Sequence, residues 1–126
     1  MKKFLVPLAA VAAAAFATAV FAAPAMVGST DKGKVLTDSK GMTLYTFAKD
    51  SGGKSACNGK CAANWPPLMA ASGDKGGKGY TKIKRSDGKM QWAYKGKPLY
   101  TWVKDKKPGD TTGDGFLNGA WHVAKP

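Results

Sequence analysis

Gly41-Met-Thr-Leu-Tyr-Thr-Phe-Ala-Lys-Asp50 and Gly96-Lys-Pro-Leu-Tyr-Thr-Trp-Val-Lys-Asp105 are two copies of one segment, 55 residues apart. Six of the ten positions are identical, and Phe47/Trp102 and Ala48/Val103 are conservative pairs. Agreement of this length inside one short chain marks a duplicated unit. Two copies are too few for a solenoid. Two half-sheets packed by pseudo-symmetry are the economical architecture.

The flanks of each copy read as β-structure. In the first, Val35-Leu-Thr-Asp38 runs into Ser39-Lys-Gly41 and then Met42 to Lys49, a strand, a glycine turn and a strand. In the second, Tyr80 to Arg85 meets Ser86-Asp-Gly88, Met90 to Tyr94 follows, and Lys95-Gly96 leads into Leu99 to Lys104. Asp-Gly and Lys-Gly between apolar runs are hairpin signals. A period of two places Met90, Trp92 and Tyr94 on one face, Tyr45 with Phe47, and Tyr100 with Trp102. One short helical turn is expected near Cys61 to Trp65, ended by Pro66-Pro67. The glycine-rich spans 72–79 and 108–119 read as loops. The expected fold is therefore mainly β. It is a small single domain of two duplicated hairpin units, about 30–71 and 80–124, packed as a sheet or sandwich.

Residues 1–22 stand apart. Lys2 and Lys3 precede an uncharged, Ala-rich run from Phe4 to Ala22 that ends in small residues. That order is the one of a secretory signal peptide, with 23–126 as the exported domain. No transmembrane anchor is expected after cleavage. Lys2 and Lys3 are two of the 20 cations, so the remaining 104 residues keep 18 against 8 acids, a net +10. A chain this small has a thin core, and its four Trp and four Tyr must supply much of it.

Composition excludes several chemistries. All eight acids are Asp, and the chain has no Glu, one Arg and one His, His122. Sites with two or more histidine ligands, His-Glu-x-x-His proteases and Glu acid/base pairs are ruled out. His122 has no Ser or Cys neighbour in sequence, so no catalytic residue is assigned and the chain reads as a binding protein rather than an enzyme. No cofactor is expected. Cys57 and Cys61 flank Asn58-Gly-Lys60, a turn that can bring the sulfurs together in an oxidising compartment. The alternative is a redox-active or metal-handling pair, or copper held by His122 with Met42, Met69 or Met90. Asp110 to Asn118 has oxygen ligands near calcium-loop spacing, with Asp110 and Asp114 as candidates, but Trp121 stands where a bidentate Glu belongs. Lys carries nearly all the positive charge. Specific nucleic-acid readout favours Arg forks, so the partners to expect are anionic envelope components or other secreted proteins.

Tyr45-Thr-Phe-Ala-Lys-Asp50 and Tyr100-Thr-Trp-Val-Lys-Asp105, with Cys57 to Leu68, Gln91 to Tyr100, Pro108 to Asp114 and Trp121-His-Val123, carry a family resemblance. Together they resemble the secreted or lipoprotein repeats with a Tyr-x-(Phe/Trp/Tyr)-x-x-Asp motif, over essentially all of 30–124. That family is described as being of unknown function, so the resemblance implies architecture and export to periplasm or medium, not a reaction. Many members carry a lipid-anchored Cys, which this chain lacks. The motif itself has two readings. Tyr45, Phe47, Tyr100 and Trp102 can be core anchors, with Asp50 and Asp105 accepting amide hydrogens of the turns that follow. Alternatively, two symmetry-related Tyr/Asp pairs form a ligand site.

Overall fold

The computed structural model describes residues 23–126; the signal-peptide reading concerns residues 1–22 and lies outside them. The chain runs β1 (Met26–Thr30), β2 (Gly33–Thr37), β3 (Tyr45–Phe47), α1 (Lys60–Asn64), β4 (Met69–Ala70), β5 (Tyr80–Lys84), β6 (Met90–Tyr94), β7 (Lys97–Pro98), a short distorted turn of helix α2 (Phe116–Gly119) in the span expected as loop, and β8 (Trp121–Val123). The fold is mainly β, as the repeat implies, with α1 at the expected helical turn.

β1 and β2 form an antiparallel hairpin, with Met26 opposite Thr37 and Thr30 opposite Gly33. β5 and β6 form the equivalent hairpin, from Tyr80 opposite Tyr94 to Lys84 opposite Met90. β4 and β7 pair with the other edge of β6. The Lys95-Gly96 turn is as tight as its sequence suggests: both residues are left-handed, and Tyr94 pairs with Lys97 across it. Of the long strands expected over Met42–Lys49 and Leu99–Lys104, the first shortens to Tyr45–Phe47 and the second is reduced to isolated bridges at Tyr100. Each turns sharply after its second aromatic, with Asp50 N–H donating to the Phe47 carbonyl and Asp105 N–H to that of Trp102.

The two units are interleaved rather than side by side. Leu36 N–H donates to Ala124 O, Ala124 N–H to Leu44 O, and Leu44 N–H to Leu36 O. The same ring recurs as Trp92 to Leu68, Leu68 to Leu99, and Leu99 to Trp92. In each ring two segments come from one unit and the third from the other. The last strand of the first unit (Leu68 to Ala70) joins the second unit's hairpin. The last strand of the second unit (β8) pairs with β3, Tyr45 opposite Val123 and Phe47 opposite Trp121. Between the rings Tyr45 and Tyr100 bond each other's backbone in both directions, at 2.7 and 3.0 Å. The pseudo-twofold axis passes there.

Alternation along the repeated segment sorts the core into two clusters. Leu44 and Leu99 point into one, with Leu36, Tyr80 and Trp92. Tyr45, Phe47, Tyr100 and Trp102 point into the other, with Trp65 and Trp121. This second cluster holds a ladder of near-parallel rings. Phe47 stacks on Trp121 at 4.1 Å, Trp121 on Trp65 at 3.8 Å, and Trp65 on Trp102 at 4.0 Å. The motif aromatics are its ends, and Trp65 and Trp121 its centre.

Candidate functional site

The repeated motif is the natural place to look for a site, and its geometry follows from the turn after each aromatic. That turn swings Asp50 and Asp105 back toward the axis where Tyr45 and Tyr100 meet. The pairs form across the duplication. Tyr45 OH donates to Asp105 Oδ2 and Tyr100 OH to Asp50 Oδ2, both at 2.7 Å. Each tyrosine is thus clasped by the aspartate of the other unit.

The second carboxylate oxygens hold the following loops. Asp105 Oδ1 accepts from Thr112 N–H at 2.9 Å and from the Thr112 hydroxyl at 2.6 Å. Asp50 Oδ1 accepts from Ala56 N–H at 2.6 Å. The two phenols also have further partners: Tyr45 OH accepts from Gly113 N–H, and Tyr100 OH lies 2.7 Å from Ser55 Oγ. So the aspartates cap loops and clasp tyrosines together.

Both tyrosines are fully buried and Asp105 nearly so. Asp50 is half-buried and borders a surface cleft of about 240 Å³. Burial, with the neighbouring carboxylates, pushes both phenols far above their ordinary range. Desolvation also raises the Asp50 carboxyl, partly offset by Ala56 N–H, Tyr100 and Arg85. The proton therefore stays on each phenol. This arrangement is a pair of internal clasps, with both phenols buried inside the fold.

A pH prediction follows. Unfolded tyrosine ionises near pH ~10, whereas these two hold their protons to higher pH. Below that pH both states are neutral there and the full stability is present. Above it the unfolded chain releases two protons the folded chain keeps. Stability should then fall by up to about 2.7 kcal/mol per pH unit. In a spectrophotometric titration, the clasp phenolates should appear only with unfolding. All four tyrosines ionising together near pH ~10 in the intact fold would contradict the clasps.

The other sequence candidates separate. Cys57 and Cys61 form a disulfide with Cα atoms 5.2 Å apart, and neither thiol is free. Asp110 accepts from the Lys106 and Lys107 amides and from Lys107 Nζ at 2.9 Å. Lys107 holds its carboxyl below the usual carboxylate range. Asp114 instead accepts from Val123 N–H, 3.5 Å from His122 Nδ1. Asp110 is thus spent on its own loop and Asp114 on β8. Among the described residues no three His, Cys, Asp or Glu side chains gather as a metal site.

Two buried polar residues escaped the sequence reading. Arg85, 5% exposed, donates from Nη1 to Ser55 Oγ and Gln91 Oε1, and from Nη2 to the Cys57 carbonyl and Asn58 Oδ1. Gln91 is fully buried and donates to the Leu99 carbonyl. This fork braces the disulfide loop against the second hairpin. The available signal was a single Arg among so many Lys: only the planar fork reaches four acceptors at once. Arg85→Lys should therefore cost about 1–3 kcal/mol in denaturant unfolding, since at least one buried acceptor loses its donor. An unchanged midpoint would show that water replaces the fork without cost.

A family described as a secreted repeat of unknown function matches residues 26–69 and 81–125, one match for each unit. The chain belongs to this family. Searches of curated proteins and of solved structures give no match. Among the described residues no helix is long and apolar enough to cross a membrane.

Proposed function

We propose that this secreted-repeat protein is an exported binding module for an anionic component of the cell envelope, acting in the periplasm or medium without catalysis. The observation that carries this reading is what the acids do. Asp38, Asp50, Asp74, Asp87, Asp105 and Asp110 each accept a backbone N–H of a turn or loop, and Asp114 accepts that of Val123 in β8. Asp31 accepts from the Thr111 hydroxyl. The short Asp side chain suits this capping, which explains the lack of Glu. The carboxylates are spent on the fold.

The lysines are not spent in the same way. Among the described residues only Lys32 and Lys107 have a carboxylate oxygen within 4 Å, at 3.8 and 2.9 Å. Buried Arg85 apart, the positive charge is thus carried by lysines that are largely without carboxylate partners. Such a surface attracts anionic polymers or headgroups over a Debye length of about 8–10 Å near physiological salt. Retention on an anionic polysaccharide or phosphodiester polymer should be strong at low salt and fall steeply as salt rises. Salt-independent binding would remove electrostatics as the mechanism. Absence of binding at low salt would leave the charge serving solubility alone.

A further inference from the structure

On the lysine surface of the described residues, charge, shape and an apolar floor coincide beside β3 and β8. β3 and β8 turn Tyr45, Phe47, Trp121 and Val123 inward, so Thr46 and His122, opposite each other in the register, face outward. The tight Lys95-Gly96 turn lies beside them. Between these elements is a cleft of about 290 Å³, floored by Leu99 and Val123 and bordered by Lys95, Lys97, His122 and Lys125, the last of which donates to the Lys32 carbonyl. It adjoins the 240 Å³ cleft, with which it shares Thr46, Lys97 and His122. We propose that this cleft binds a phosphate-type oxyanion through Lys95, Lys97 and His122, and is where the basic surface engages its anionic partner. The proposal rests on the anion-binding reading above.

Three observations favour a site over a by-product of the fold. First, no carboxylate lines the 290 Å³ cleft. The nearby acids are already engaged: Asp114 lies against His122 Nδ1 and caps Val123, while Asp50 is turned onto Tyr100 and the Ala56 amide. Second, the duplication supplies an internal comparison. The backbone rings match His122 with Pro66 and Lys97 with Met42. The matching face thus lacks the Lys97 and His122 side chains, and its Thr101 hydroxyl turns to the Pro66 carbonyl. The fold does not require these two side chains here, since its twin does without them. Third, the donors are Lys and His with no Arg. A lysine ammonium binds phosphate as a point charge and needs no guanidinium fork to do so.

Because His122 is the chain's one histidine, its imidazole proton resonances are assigned without ambiguity and report on the border of this cleft. They should shift saturably when the exported protein is titrated with inorganic phosphate at constant ionic strength. Lys97→Met, which installs the residue of the matching face, should weaken that binding about tenfold, the loss of one charge-assisted contact. Lys40→Ala removes one charge from the other half and should change it less than twofold. Displacement of phosphate by soluble polyphosphate would point to a polymer, and displacement by phosphatidylglycerol vesicles to a lipid headgroup. Displacement by neither, no His122 shift, or equal weakening by the two lysine variants overturns the cleft proposal. If salt-sensitive retention on polyanions then persists, the broader reading stands; if retention is absent too, both fall.

Discussion

Residues 23–71 and 72–126, produced as separate chains, are each expected to be unfolded. The first would keep β1, β2 and the Leu44–Leu36 bond, but lose β8, the Leu36–Ala124 bond and both Tyr45–Tyr100 bonds. Its Tyr45 would lose Asp105 and its Trp65 would lose both Trp partners. What remains is close to an isolated hairpin, marginal in water. The second half would lose β4, Leu68 and Asp50, and its ladder would be cut likewise. Amide dispersion in a proton–nitrogen spectrum is the measurement. A dispersed spectrum from either half by itself would show that pairing within one unit suffices, and that the crossed strands are a detail of packing.

The duplication and the β character were legible because the Gly41–Asp50 and Gly96–Asp105 copies align without a gap and carry alternating aromatics. The crossing was not. A Tyr/Asp pair within a copy and one between copies have the same residue types, so no sequence pattern distinguishes them. The ladder was hidden for a related reason. Trp65 and Trp121 are 56 residues apart, not 55, because the second loop is one residue longer. The register of the repeat slips just before the residues that would have revealed the stack. β1 was missed because Gly28 and Ser29 interrupt its apolar pattern, and its Met26 and Val27 side chains stay exposed. Arg85 and Gln91 were missed because their residue types argue for the surface, and only the fork of acceptors around Arg85 reverses that preference. The cleft at Lys97 and His122 needed the pairing of β3 with β8, which joins residues from opposite ends of the domain.

Trp121→Ala should cost about 3–5 kcal/mol in equilibrium unfolding, the range for removing a buried aromatic. Trp121 is 1% exposed and lies between Trp65 and Phe47, with Tyr100 edge-on to it at 5.0 Å. The loss is large against the ~5–15 kcal/mol of a typical domain. Trp65→Ala should cost a similar amount, because Trp65 holds the matching place in the ladder and also meets Tyr45 edge-on. The two losses should not add. Each single change already removes the Trp65–Trp121 contact, so the double variant should fall short of the sum by about 0.5–3 kcal/mol. The ladder also fixes its surroundings. A Cβ on Gly113 would lie 2.6 Å from Trp65 Cη2 and 3.0 Å from Trp102, so Gly113→Ala should overpack the stack and cost about 1–3 kcal/mol. A Trp121→Ala protein within about 1 kcal/mol of the parent would mean that the interleaved strands, rather than the rings between them, hold the two units together.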